Sequence, residues 1–245
     1  MPIHDFKSQR LYLDHPLGEG TAIELDRSQA NYLISVLRLK SGAQLLVFNG
    51  RDGEWRAQFE VTGRKSGTLT PFEQTRLQPP ANDLVYCFAP LRQARQDYMI
   101  QKAVEMGAGV LQPVITQHTQ VHKVNLQRMQ ANAIEAAEQC GILCIPDCRE
   151  ALPLETLLEQ WNGKRILIFA DEAAAEINPL EVLKACRGSP LGLLVGPEGG
   201  FSQAEREQLA SFENAVTISL GPRILRADTA GVAALAVTQA ACGDW

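Results

Sequence analysis

No apolar run in this chain approaches the roughly 18 residues that a membrane-spanning helix needs. The longest, Thr229 to Val237, falls far short. The opening Met1-Pro-Ile-His-Asp-Phe-Lys7 has no apolar core behind its charge, so it is not expected to act as a secretory signal, and a cytoplasmic location is the expectation. CxxC pairs are missing as well. The six cysteines, at 87, 140, 144, 148, 186 and 242, read as reduced thiols. Cys140, Cys144 and Cys148 are spaced four apart, yet Gly141 and Pro146 interrupt the helix that would align them and no histidine lies among them. No metal site is expected there. His118 and His122 share an i,i+4 spacing, but the flanking VLQPVITQHTQ reads as strand and loop, which gives them a surface or packing role. Also lacking are a GxGxxG after a strand, a GxxxxGK[ST], a GxSxG and an HExxH, so any nucleotide or cofactor site is not of the common Rossmann or P-loop kind. Internal repeats and low-complexity segments are absent too.

What is present describes a folded chain of one or two domains. Its 245 residues are 45% hydrophobic, enough for a sizeable core without staples and too many for wholesale disorder. The first 72 residues have the texture of a small β domain. Arg10-Leu-Tyr-Leu, Gln44-Leu-Leu-Val-Phe, Trp55 to Val61 and Thr68 to Phe72 are strand-like, with Asn49-Gly50 and Asp52-Gly53 as turns. One helix, Ser28 to Arg38, is expected to interrupt them. Arg76-Leu-Gln-Pro-Pro-Ala-Asn82 reads as a linker.

From residue 73 onward the texture alternates. Strands are expected over Leu84–Ala89, Val110–Thr116, Ile166–Ala170, Leu191–Gly196 and Ala215–Leu220. Helices are expected over Gln93–Met106, Asn125–Cys140, Ser202–Ser211 and Asp228–Cys242. Short apolar strands alternating with helices point to an α/β fold with a mostly parallel sheet covered on both faces. Charge splits at the same place: residues 1–72 carry 9 Lys+Arg against 8 Asp+Glu, and residues 73–245 carry 14 against 20. The net of −5 argues against a nonspecific nucleic-acid coat. Arg27, Arg38, Lys40, Arg51, Arg56, Arg64 and Lys65 could form a local basic patch or ordinary solvated surface; charge alone does not decide.

The last fifty residues carry the chemistry. Leu191-Gly-Leu-Leu-Val-Gly196 runs into Pro197-Glu198-Gly199-Gly200-Phe201, and a helix opens at Ser202 with Glu205 completing a capping box. Adjacent glycines after a sheet strand let the backbone approach a ligand closely, or make only a tight turn. Glu198 favours the ligand reading, since turning requires no carboxylate. Open α/β sheets bind ligands at these strand ends. The next strand repeats the pattern, running into Gly221-Pro-Arg-Ile-Leu-Arg226-Ala-Asp228-Thr229 and then a helix apolar nearly all round. Asp228 or Thr229 could cap that helix, and Asp228 could be a cap and nothing more. So apolar a helix must be buried on several sides, as in a dimer interface or an entwined core.

LLVGPEGGFSQAE followed by ISLGPRILRADTA resembles the closing motifs of the SPOUT methyltransferases. More narrowly it is similar to the ribosomal RNA small subunit methyltransferase E family, which methylates N3 of a uridine in 16S rRNA. RLYL, SVLRLKSG and VFNGRDGEWRAQF resemble that family's N-terminal PUA-like β-barrel, and QKAVEMG, QPVITQHTQ and AIEAAEQCG its central segments. Ile142 stands where many relatives carry arginine, and Asn31-Tyr32 where they often show histidine. The resemblance implies a PUA-like RNA-binding barrel over 1–72 and a SPOUT α/β domain over 73–245, with a deep trefoil knot over about 191–242. It also implies S-adenosylmethionine as cofactor, a homodimer completing each site, and 16S rRNA of the small ribosomal subunit as partner, with no membrane and no metal.

The mechanism expected from that resemblance is one in-line methyl transfer, favoured by positioning and a dry pocket. Arg226 would stabilise negative charge on the uracil oxygens, and Glu198 or, second, Asp228 would take the N3 proton. Leu194, Val195, Gly196, Gly199, Gly200, Leu220, Gly221, Ile224 and Leu225 would meet the cofactor, mainly through their backbone groups, with Asp171-Glu172 in the same cleft. Arg10 and Arg38 are the candidates for gripping RNA. Rival readings are a SPOUT ribose 2′-O methyltransferase acting on tRNA or large-subunit rRNA, a non-catalytic RNA-binding ribosome-assembly factor, and a small-molecule enzyme using the same pocket.

Overall fold

The computed structural model describes residues 5, 7–174 and 178–245. The N-terminal stretch read above as lacking secretory character lies largely outside them. The chain divides into two compact units, residues 1–81 with 137–145, and residues 82–136 with 146–245.

In the first unit, strands β1 (Arg10–Tyr12), β2 (Ile23–Glu24), β3 (Gln44–Phe48), β4 (Glu54–Gly63) and β5 (Ser66–Arg76) form one sheet in the order β1-β3-β4-β5-β2. β1 runs parallel to β3, and the other pairs are antiparallel. Alternation selects the inner face: Ala57 and Phe59 of β4 and Leu69 of β5 point to a core shared with Leu13, Leu33, Leu45 and Val47. The expected boundary at 72/73 falls inside β5, whose Gln74 and Arg76 still pair with Trp55 and Glu54.

The helix expected over 28–38 is shorter and then changes pitch. Asp26 caps α1 (Arg27–Asn31) in a capping box with Gln29, and the chain widens into a π-helical turn over Tyr32–Val36. The widened turn packs Tyr32, Ile34 and Leu37 beside the buried Leu33. It ends at Arg38, whose φ of 56° is left-handed and whose side chain is exposed. Arg27, Lys40, Arg64 and Lys65 are exposed too, whereas Arg51 and Arg56 pair with Asp14 and Glu73.

Arg10 corrects the expectation of a surface RNA contact. Its side chain is 4% exposed, and its Nε donates to Glu54 Oε2 at 2.9 Å. Arg76 Nη2 donates to the same oxygen at 2.6 Å, and Arg76 Nε and Thr75 Oγ1 donate to Oε1. Sequence reading missed this because the acceptor, 44 residues downstream, enters only through the pairing of β1, β3 and β4.

The second unit is a parallel sheet: β6 (Val85–Phe88), β7 (Val110–Ile115), β8 (Asp147–Cys148), β10 (Ile166–Ala170), β11 (Leu191–Val195) and β12 (Ala215–Ile218) in the order β12-β10-β11-β6-β7-β8, with β9 (Leu152–Pro153) also on β7. Helices α2 (Gln93–Glu105), α5 (Pro179–Lys184) and α7 (Ala227–Cys242) pack together, α7 against β11. Leu154, Leu157 and Leu158 of α4 (Leu154–Glu159) and Leu209 of α6 (Gln203–Ser211) close a separate core with Cys87, Phe169 and Leu194. Both faces are thus covered, as the runs of apolar residues require. Gly107 and Gly141, at φ of 78° and 65°, end α2 and α3 (Leu126–Cys140). The division between units falls within α3. The sequence reading omitted β2, β8, β9, α4 and α5, all too short for periodicity to register.

No helix among the described residues is long and apolar enough to cross a membrane. Nor does any group of three His, Cys, Asp or Glu stand together as cation ligands there.

Burial pushes the Glu54 carboxyl up, but hydrogen bonds from Arg76, Thr75 and Arg10 outweigh it and hold it below the ordinary carboxylate range. A depressed carboxylate stabilises the fold above its unfolded pKa of about 4.3, and that contribution disappears as pH falls through the folded value. Glu54→Gln, which leaves buried guanidinium charge uncompensated, is expected to lower stability at pH 7 by about 3–5 kcal/mol. It should also flatten the acid limb of stability against pH. Urea unfolding of both proteins from pH 7 down to pH 3 checks this, and coincident curves would contradict the role given to Glu54.

Candidate active site

Three chain segments leave the carboxyl ends of β10, β11 and β12, which lie side by side in the sheet. They are Asp171-Glu172, Gly196 to Phe201, and Ser219 to Arg226. Together with the start of α7 they line an open cleft. From the first segment Ala170, Asp171 and Glu172 line it. The second contributes Val195, Gly196, Pro197 and Gly200, and the third Leu220, Gly221, Arg223 and Leu225. Ala227 and Ala230 of α7 complete the wall.

Backbone economy shapes these loops. Gly200 has φ of 67° and Gly221 of 95°, which L side chains rarely adopt. At Gly196 a Cβ would press on the Phe201 ring at 3.0 Å. Ser202 and Glu205 form the expected capping box, and Glu205 also accepts from the Gln117 amide at 2.7 Å. His118 Nδ1 lies 3.2 and 3.1 Å from the carbonyl oxygens of Gly199 and Gly200, so with its proton on Nδ1 it donates to them. The packing role expected of His118 is therefore to hold the glycine loop in place. Arg206 of α6 pairs with both Asp171, at 3.1 Å, and Glu172. Asp171 is 8% exposed, and its Oδ1 also accepts from the Ala173 amide.

Of the residues expected to meet a cofactor, Val195, Gly196, Gly200, Leu220, Gly221 and Leu225 line the cleft. Leu194 is fully buried in the core below it, Gly199 packs against His118, and Ile224 points outward at 90% exposure. The structure adds Ala170 and Pro197 beside the expected strand ends, and Arg223, Ala227 and Ala230. The signal of the last three was visible as small residues one helical turn apart at the start of α7 and a cation in the same loop.

The three expected catalytic side chains are dispersed. Arg226 occupies the N-cap position of α7 beside cleft-lining Ala227. It is exposed and makes no ion pair with a described residue. Glu198 turns away from the cleft and pairs with Arg95 of α2. Asp228 lies in the first turn of α7, so it is not the cap considered above; its Oδ1 accepts from the Thr229 amide at 2.9 Å. A carboxylate there complements the positive end of the helix.

Beneath that first turn lies Tyr86 of β6, fully buried and stacked on Phe88. Burial pushes its phenol well above the ordinary range, and the Asp228 charge adds to this. The hydroxyl finds no hydrogen-bond partner among the described residues. Gly231 passes directly over it, where a Cβ would fall 2.3 Å from Tyr86 Oη.

With this geometry in place, the chain can be set against known proteins. A family profile described as RNA methyltransferase domain matches residues 78–239, and one described as RNA methyltransferase PUA domain matches residues 25–72. The ribosomal RNA small subunit methyltransferase E of Rickettsia conorii is 34% identical, with 94% of each chain covered. Among solved structures, a Legionella pneumophila methyltransferase with bound cofactor SAM superposes with a TM-score of 0.85 at 28% identity, covering 98% of this chain and 100% of that one. A Neisseria gonorrhoeae ribosomal RNA small subunit methyltransferase E bound to S-adenosyl methionine gives 0.81 at 26% identity, covering 96% and 98%.

The Tyr86–Gly231 contact yields a test of how α7 is seated. Gly231→Ala is expected to destabilise the protein by about 1–3 kcal/mol, the usual cost of overpacking. Tyr86→Phe alone should be nearly neutral, because it removes an unpaired buried hydroxyl. In the double variant most of the loss should be recovered. A double-mutant cycle by chemical denaturation measures the coupling; strictly additive effects would show that the two residues do not meet.

Proposed function

The chain belongs to the ribosomal RNA small subunit methyltransferase E family, and from that premise we propose that it transfers a methyl group from S-adenosylmethionine to N3 of a specific uridine in 16S ribosomal RNA. The observation that carries this reading is the cleft at the ends of β10, β11 and β12, with Arg226, which makes no ion pair with a described residue, at its edge. Its lining suits an adenosyl group: apolar walls from Val195, Leu220, Leu225, Ala227 and Ala230 for a purine, and the carboxylates of Asp171 and Glu172 to accept from hydroxyls.

When bound, S-adenosylmethionine supplies a methyl group activated by its sulfonium charge. The protein's part is to bind, orient and neutralise. Gly196, Gly200 and Gly221 let the backbone approach the cofactor without side chains in the way. Arg226 offers its guanidinium to the uracil oxygens, where charge develops as N3 loses its proton. For the proton acceptor, Asp228 is favoured over Glu198. Asp228 is two residues from Arg226 and outside any ion pair with a described residue, whereas Arg95 already holds the Glu198 carboxylate.

The first unit is the proposed RNA grip, its five-stranded sheet read as a PUA-like barrel. Exposed Arg38, with Arg27, Lys40, Arg64 and Lys65 free of ion pairs to described residues, supplies its cations. In the second unit the chain leaves β12 at the sheet edge and returns to pack α7 against β11 and α2. We read that crossing as the threading of a deep trefoil knot over about residues 191–242. Val232, Ala233 and Ala236 leave α7 with a partly exposed apolar stripe, which a second copy of the chain would cover in a homodimer. The cytoplasm, where small subunits are assembled, is the proposed location.

The test offers labelled S-adenosylmethionine and purified protein to small subunits lacking the modification, to naked 16S rRNA and to tRNA, and identifies the product nucleoside by mass spectrometry. N3-methyluridine from ribosomal substrate alone is expected. A 2′-O-methylated nucleoside would move the chain to a different reaction. Arg226→Ala should lower turnover about 100-fold, in line with the loss of one such donor, while cofactor affinity measured by calorimetry stays close to wild type. Loss of cofactor binding in that variant would overturn the role assigned to Arg226.

A further inference from the structure

The cleft does not end at the glycine loop. Pro197 borders both the cleft and an adjoining depression walled by Arg92, His118, Gln120 and Glu198. Leu91, Arg92 and Val121 in turn border both that depression and a larger cavity of about 410 Å³, whose rim carries Lys123 and Arg128. A continuous groove therefore leads away from the reaction site, between the start of α2 and the segment joining β7 to α3.

Its charge is out of keeping with its surroundings. Residues 90–130 hold five Lys or Arg against two acids, which leaves 9 against 18 for the rest of residues 73–245. Two of the groove's cations have acidic partners. Arg128 donates to Asp97 at 3.0 and 2.6 Å, and Arg95 pairs with Glu198. Arg92 and Lys123 are exposed and make no ion pair with a described residue. Arg92 is also the N-cap of α2 and makes no side-chain cap, so the first-turn amides of a 13-residue helix, of which that of Arg95 is taken by the Arg92 carbonyl, lie beside its guanidinium. Unpaired cations, helix amides and a groove opening onto a methyl-transfer cleft together suit a chain of phosphates rather than one small anion.

We propose that this groove holds the sugar-phosphate backbone of the RNA strand flanking the target uridine, with Arg92 and Lys123 each neutralising a phosphate. The inference rests on the RNA methyltransferase reading and assigns it a second contact surface, within the catalytic unit itself. Arg92 and Lys123 are positioning residues: they fix where the strand lies and leave the chemistry to the cleft. Phosphate contacts of this kind set register without reading sequence.

The experiment compares wild type, the Arg92→Ala/Lys123→Ala double variant, the single Lys123→Gln variant, and Lys184→Ala as a control that removes a cation from α5. Filter binding of transcribed 16S rRNA is followed across a salt series, beside cofactor affinity and the KM and kcat of methyl transfer. For the double variant, RNA affinity should fall about tenfold and the slope of log affinity against log salt should become shallower by about 1.4, two single-strand contacts at roughly 0.7 each. KM for RNA should rise while kcat stays within about twofold and cofactor affinity is unchanged, as expected of phosphate contacts that position without reacting. Lys123→Gln should give about half the change in slope, and Lys184→Ala none. A double variant with wild-type affinity and slope overturns the groove, as does one that loses cofactor. Failure of the parent reading shows elsewhere, in wild-type protein that binds rRNA yet transfers no methyl group, and the binding comparison judges the groove even then.

Discussion

Everything proposed for the second unit depends on one constraint: β10 lies between β11 and β12, and all three run the same way. Parallel strands deliver their exits to one edge of the sheet, so three segments distant in sequence emerge side by side. Each must turn there without filling the space the others need. That is why glycine recurs at 196, 200 and 221, and why the clamps come from neighbouring elements: Arg206 on Asp171 and Glu172, and His118 on the carbonyls of Gly199 and Gly200. The cleft is what remains between three exits that cannot close on one another.

The first unit solves a different problem. A small sheet with one inner face has a limited core, and here it also encloses a carboxylate between two guanidinium groups. Removing those charges from water is costly. The expense is tolerable because the lone pairs of Glu54 are met by Arg10, Arg76 and Thr75 from strands at both ends of the fold. Such a cluster forms only when β1, β4 and β5 are all in register, so it ties correct strand pairing to the satisfaction of buried charge.

Much of this was legible in the residues. The Gly-Pro-Glu-Gly-Gly loop, the capping box at Ser202 and Glu205, and the helix-ending Gly107 and Gly141 are local signals, and local signals survive without knowledge of the fold. The strands of the second unit could be read because burial on both faces makes them continuous apolar runs. The rest depends on partners far away in sequence. Nothing near Arg10 says that it will be buried, since Glu54 does that. Nothing near Glu198 says that Arg95 will draw it aside. The π-helical turn at Tyr32–Val36 reflects a demand to bury Leu33 and its neighbours, which helical periodicity alone does not express. The outward side chain of Ile224 was not legible for a simpler reason: in a loop, an apolar residue has no fixed face.

The uneven distribution of charge has a consequence for encounters in solution. At a distance the molecule presents its net charge of −5, and toward any polyanion that is a barrier. Screening confines the field to about 8 Å at physiological ionic strength, so the barrier gives way to attraction only for a partner arriving at a locally positive face. A uniformly basic surface would bind more tightly and spend its time on the wrong molecules; an acidic body with small cationic windows trades encounter frequency for discrimination.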